Sequence, residues 1–100
     1  MTRRTEQLIC EAIRCRRLLA FHYEGTVPGR RMVEPHILGY AANGHLLLSG
    51  WQRRGGSGED WRDFLVAEMH GLTLSEERFQ GPRPGYNPAD RTFAKIVCAL

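Results

Sequence analysis

The sequence predicts a mainly β, α+β domain: a small, strongly bent antiparallel sheet or barrel with one helix over an opening. Three observations lead there. A helical apolar stripe occupies the N-terminus and does not recur. Five short runs of strand-like composition follow it at close spacing. The connections between those runs are too short for the crossover helices that a parallel sheet requires. A length of 100 residues allows one such core and no second one.

From Thr5 to about Arg17, Leu8, Ile9, Ala12 and Ile13 recur at helical spacing, while Arg14, Arg16 and Arg17 stay off the stripe. Thr2 or Thr5 can cap this helix by accepting a backbone N–H bond. Leu18 to Tyr23 is apolar and aromatic and ends at Glu24-Gly25, which makes it the first strand. A second covers Arg30 to Leu38, with Pro35, which has no N–H, at an edge, bulge or end. Asn43-Gly44 tolerates positive φ and predicts a hairpin into a third strand, His45 to Gln52. The glycine-rich stretch Arg53 to Asp60 holds no apolar residue and reads as a mobile loop. The fourth strand is placed at Trp61 to Met69, a turn at His70-Gly71, a fifth strand at Leu72 to Leu74 and a helical turn at Ser75 to Phe79. Pro82, Pro84 and Pro88 then break any ladder. Thr92 to Leu100 is apolar again, a short helix or strand that docks on this domain or on a partner. The expected organisation is therefore a domain over 1–80 and a Pro-rich linker with an apolar segment over 81–100.

Hydrophobic residues make up 42% and charged residues 25%, ordinary values for a folded chain. The formal charge of +3 comes from 14 Lys+Arg, among which Lys95 is the single lysine. Arginine's planar fork suits phosphate and carboxylate, so this bias leans towards anions, although such a charge also serves solubility. Cys10, Cys15 and Cys98 cannot all pair within one chain and match no metal spacing, so reduced thiols in the cytoplasm are expected. No apolar run approaches the ~20 residues of a membrane span.

Chemistry-bearing constellations are sparse. His22, His36, His45 and His70 lack metal-ligand spacing, and Glu59-Asp60 and Glu76-Glu77 read as solvated charge rather than catalytic pairs. Cys10 and Cys15, five apart on a helix, point roughly 140° apart and cannot face each other. Arginines do bracket aromatics: Arg14, Arg16 and Arg17 precede Phe21 and Tyr23, and Trp51 precedes Arg53 and Arg54, then Trp61-Arg62. A groove for single-stranded nucleic acid alternates cations and rings in this way. Core aromatics with solvated arginines produce the same pattern.

Leu18-Leu19-Ala20-Phe21-His22-Tyr23, Arg31-Met32-Val33-Glu34-Pro35-His36-Ile37-Leu38, the strand led by Gly44 and Arg62-Asp63-Phe64 follow one another in the order and spacing of the WYL domain, which this chain resembles from about Ile9 to Phe79. The resemblance implies a small Sm-like five-stranded antiparallel β-barrel with an N-terminal helix. It also implies a ligand-sensing module of the kind found in bacterial transcription regulators, with nucleic acid among the ligands. It places ligand-facing positions at Tyr23, Arg31, His36 and Arg62, with His36 where the family usually shows tyrosine. The triplet that names the family is Leu46-Leu47-Leu48 here, and Leu65 and Glu68 stand where the family usually shows arginines. The helix-turn-helix that usually precedes the domain has no counterpart in one helix of about a dozen residues, so action through a partner or as a detached sensor is expected.

The functional expectation is a non-enzymatic module, without cofactor or metal, that binds an anionic ligand. Nucleotides and single-stranded nucleic acid are the candidate classes. Arg31 and Arg62 would fork onto charge, Tyr23 and Trp51 would offer stacking surface, and His36 a pH-sensitive contact. The alternative is a protein-interaction domain that dimerises or docks on a larger regulator through its strand edge and apolar tail.

Overall fold

The structure is a computed structural model that describes residues 3–100; the candidate cap Thr2 lies outside them. An amphipathic helix, α1 (Arg3–Cys15), buries Ile9, Ala12 and Ile13. It ends where Arg16 takes the left-handed conformation, φ 57°, a common helix exit, and the chain passes directly into β1 (Arg17–Tyr23). There follow β2 (Gly29–Tyr40), β3 (Leu46–Arg54), β4 (Asp60–Leu65), a 3-10 turn at Val66–Glu68, β5 (Met69–Arg78) and β6 (Lys95–Ala99).

The strands form one antiparallel sheet in the order β4-β3-β2-β1-β5, and β6 pairs with β2 off that path. The length of β2 dictates the shape. Its 12 residues would extend about 36 Å when straight at ~3.3 Å per residue, more than the molecule's longest extent of 28 Å. The strand therefore bends. The bend falls at Pro35, which donates no ladder bond, and a bulge separates the pairs Pro35↔Gly50 and Ile37↔Ser49. Before it, β2 pairs with β1 (Leu19↔Val33); beyond it, the same edge pairs with β6 (Ile37↔Ala99). Glycines make the close approaches possible. A Cβ on Gly50 would sit 2.5 Å from the Glu34 carbonyl oxygen, and one on Gly39 would sit 2.6 Å from that of Lys95.

The inner face of the sheet packs on α1 as a single core of Ile9, Ile13, Leu19, Phe21, Val33, Leu38, Leu48 and Phe64. The Asn43-Gly44 hairpin forms as expected, closed by the Ala41 N–H donating to His45 O at 2.9 Å. Several expectations are corrected. The five-stranded barrel does not close: β4 and β5 are the two ends of the path and share no ladder, because the 3-10 turn between them sends β5 to β1 instead. The sheet is open and has a sixth strand. His70-Gly71 is not a turn; Gly71, φ 62°, lies in a bulge of β5 between the pairs Ala20↔Thr73 and His22↔His70. Ser75 to Arg78 continues β5 rather than forming a helical turn, since pairing to Arg17 outweighs local propensity and the Arg17 Nε donates to Ser75 O at 2.8 Å. For the apolar C-terminus the open choice between helix and strand, and between this domain and a partner, is resolved: it is a strand on the chain's own β2.

The reduced-thiol expectation is also corrected: Cys10 of α1 and Cys98 of β6 form a disulfide across a sequence separation of 88, leaving Cys15 free. Such a separation carries no spacing signal. Among the described residues no helix is long and apolar enough to cross a membrane.

Candidate ligand site

The five residues singled out in the sequence fall on opposite faces of the sheet. Tyr23, Arg31 and Arg62 come together on the inner side, and His36 and Trp51 sit on the outer side.

On the inner side Arg31 stands opposite Phe21 in the β1–β2 ladder and is only 4% exposed. Its guanidinium carbon lies 5.4 Å from the Tyr23 ring centroid and 5.8 Å from that of Phe64. Those rings pack edge-to-face at 5.0 Å, and Phe21 meets Phe64 at 5.2 Å. The Tyr23 hydroxyl accepts the Leu65 N–H at 2.9 Å, which ties β1 to the end of β4. Arg31 Nη1 donates to Gln52 Oε1 at 2.7 Å and Nη2 to the Val27 carbonyl. Gln52 in turn donates to Gly55 O and Gly58 O, so the glycine-rich β3–β4 loop closes over the guanidinium. Arg31 Nε is buried without a hydrogen-bond partner, and among the described residues no carboxylate lies in ion-pair range of Arg31. Burial pulls the Arg31 guanidinium below its ordinary value; Tyr23 opposes that shift, and the nearby charge of Arg62 adds to it. Arg62 itself is partly exposed, paired with Asp60 at 3.1 Å and hydrogen-bonded to the Ser57 hydroxyl.

The outer side is closed by the segment between β5 and β6. His36 is fully buried. Its ring stacks on Phe79 at 5.6 Å and meets Trp61 at 4.7 Å and Tyr86 at 5.2 Å. Nδ1 donates to the Glu34 carbonyl at 2.8 Å, and Nε2 accepts the Arg83 N–H at 3.1 Å. These two bonds select the neutral Nδ1–H tautomer. Glu34, 1% exposed, accepts a fork from Arg83 at 2.9 and 2.8 Å and a third bond from Arg53 at 2.9 Å. Arg83 also lies over Trp51, 5.0 Å from its centroid. Burial alone would raise the Glu34 carboxyl, but the bonds from Arg83 and Arg53 outweigh it and hold the group below the usual carboxylate range. A cleft of about 560 Å³ beside this cluster is lined by Glu34, Arg53, Arg78, Phe79 and Arg83.

Burial lowers the His36 imidazole below its ordinary value, against the Glu34 carbonyl bond and charge, with Arg83 assisting the fall. The unfolded chain therefore binds this proton at a higher pH than the folded one, and stability is lost as pH falls through and below the ordinary imidazole value of 6.5. Glu34, held low, adds a loss of the same sign at lower pH. Urea unfolding across that range should show the decline, and His36→Gln should flatten its upper limb. An unaltered limb in the variant would assign the decline to other groups.

Gln52, Phe64, Glu34, Arg83, Phe79 and Tyr86 are the members of these clusters that sequence reasoning missed. Arg83 lies 49 residues from Glu34 in a stretch without periodicity, so nothing local signals the pair. Among the described residues no group of three or more His, Cys, Asp and Glu side chains converges as a metal site.

The comparisons agree with this architecture. The sequence matches the WYL domain over residues 4–74, and the chain belongs to that family. The structure is similar to that of proteasome accessory factor B/C (PafBC) of Arthrobacter aurescens, with a TM-score of 0.71 and 23% sequence identity over 85% of this chain. At that identity the likeness speaks to the fold alone, and the chain spans 13% of the length of that protein. Among curated proteins none matches.

Proposed function

We propose that this chain is a non-enzymatic, ligand-sensing regulatory module in transcription regulation, and that it responds to an anion bound over Arg31 and Arg62. Nucleotides and single-stranded nucleic acid are the ligand classes that suit it. The observation that carries the reading is Arg31: a buried guanidinium with an unpaired Nε, held between two rings, with no carboxylate in ion-pair range among the described residues. A buried cation without a counter-charge is costly. A phosphate arriving beside it would offset that cost and gain forked, charge-assisted bonds.

Access runs through the β3–β4 loop. Gly55, Gly56 and Gly58 all take positive φ, and the loop is held over Arg31 by the two Gln52 donations. Arg62 borders it through Ser57. An anion that drew Arg62 from Asp60 and displaced the loop would change the order of this edge of the sheet, and that change is the signal a regulator can read. Tyr23 is a wall of this site. Docking on a larger regulator through the apolar C-terminus is the weaker reading, because that segment already pairs with β2 and Phe93 is buried.

Arg62→Ala removes a partly exposed cation without opening the core, so the variant should fold. Its affinity for a short single-stranded oligonucleotide, measured by fluorescence anisotropy, should fall about tenfold or more, the loss of one charge-assisted contact. Equal affinity in the variant and the parent chain would place the anion elsewhere.

A further inference from the structure

We propose that the Cys10–Cys98 disulfide is a thiol-operated latch: it holds the C-terminal segment over the Glu34–His36 face, and its reduction by a dithiol uncovers that face. The segment from Phe79 to Ala94 joins no ladder of its own. It rests on the outer side of the sheet through the Phe79 stack on His36, the Arg83 fork to Glu34 and the Trp61 Nε1 donation to Pro84 O at 3.1 Å. Its far end is β6, five residues long, of which Lys95, Ile96 and Ala99 are exposed. The Leu100 N–H donates to His36 O at 2.9 Å, and the Tyr86 hydroxyl donates to Leu100 O at 3.1 Å. The end of β6 thus closes back onto the covered histidine. The one covalent tie in this arrangement runs from Cys98 to α1. A short edge strand with exposed side chains holds weakly by itself, so the cross-link decides whether the segment stays seated.

The chemistry is thiol–disulfide exchange. Cys10 and Cys98 are both half-buried rather than enclosed, so a thiolate can reach a sulfur. The reductant's first thiolate forms a mixed disulfide with one cysteine while the protein S–S bond breaks, and the departing thiolate takes up a proton. The reductant's second thiol then resolves the mixed disulfide and releases the other cysteine. The protein gains two electrons and two protons, and the dithiol becomes a disulfide. Cys15 is no internal resolving thiol for Cys10, since five helical residues set them roughly 140° apart. Once released, the segment takes Arg83 off Glu34 and Trp51 and takes Pro84 off Trp61. Both tryptophans of the chain belong to the uncovered face and report on it, while the Arg31 cluster on the inner side keeps its contacts.

The test compares the whole chain, oxidised and fully reduced by dithiothreitol, by acrylamide quenching of tryptophan and by hydrogen exchange. Circular dichroism checks that the fold is retained. Reduction should raise the quenching constant at least twofold and speed exchange across 79–100, while peptides from α1, β1 and β3 keep their protection. Cys98→Ser should show the open behaviour without reductant, and Cys15→Ser should still respond to it. Two results would overturn the proposal: quenching and exchange that do not change when three free thiols are counted, or protection lost throughout the chain at once. If Cys98→Ser does not fold, reduced parent chain alone decides between these outcomes. Anion binding over Arg31 is read separately, so failure of one proposal leaves the other standing.

Discussion

Replacing Phe64 with alanine should cost about 3–5 kcal/mol of folding stability, the range for a buried phenylalanine whose site cannot collapse. Phe64 is 1% exposed and is shared by two structures. It meets Phe21 at 5.2 Å and Tyr23 at 5.0 Å, edge-to-face, and it forms one wall against the Arg31 guanidinium. Removing the ring opens a cavity in the core and leaves the buried cation beside it. For a chain of this size a loss of this order lowers Tm by roughly 15–30 °C, and a thermal melt followed by circular dichroism measures it. Ile96→Ala is the control: Ile96 is 41% exposed and its loss should stay within about 0.5 kcal/mol. A Phe64→Ala chain that melts with the control would mean that the core does not depend on this ring.

Glu34→Gln is expected to have the second largest effect, about 2–3 kcal/mol. Removing one member of a buried ion pair typically costs about 3–5 kcal/mol. Here the stranded partners soften the loss, since the Arg53 and Arg83 side chains are 28% and 35% exposed and can draw on water. The carboxylate itself is almost completely buried and accepts three charge-assisted bonds, none of which a neutral amide replaces in kind. A double-mutant cycle with Arg83→Leu isolates the pair: the coupling should exceed about 1 kcal/mol. Coupling near zero would show that the Arg83 fork contributes nothing to seating the C-terminal segment, which would then rest on its disulfide, its strand pairing and its apolar contacts.

Local pattern made much of the fold legible. The Ile9, Ala12, Ile13 stripe marked α1, and the Asn43-Gly44 pair marked the β2–β3 hairpin. Pro35, flagged for its missing N–H, is where β2 bends. Long-range partners were not legible. The apolar run from Thr92 to Leu100 reads as a short docking helix or strand, but nothing in it names β2 as the partner or fixes it as a sixth strand. The continuity of β5 through Gly71 depends on a bulge that only the pairing with β1 reveals. The pairing of Cys10 with Cys98 has no local trace.

The division of the site into two faces was partly readable. Side chains alternate along a strand with a period of two, so Arg31 and His36, five apart, belong on opposite sides. The cross-strand pair Trp51↔Trp61 likewise sends Arg62 to the side away from both tryptophans. The alternation of cations and aromatics along the chain is therefore two separate clusters in space. One is a guanidinium that lies under a glycine-rich loop, has no carboxylate partner among the described residues and whose Nε makes no hydrogen bond, and the other a carboxylate already satisfied by two arginines.

The anion-sensing reading is tested most directly by a titration of the intact protein with a short single-stranded oligonucleotide across a range of salt concentrations. With two cations, Arg31 and Arg62, engaging phosphate, the logarithm of the binding constant should fall against the logarithm of salt with a slope of about −1.4, and the oligonucleotide should raise Tm as it binds. Nucleotides tested alongside set the smallest ligand that suffices. No binding and no rise in Tm with any of these anions at low salt would contradict the assignment of Arg31 and Arg62 as an anion site.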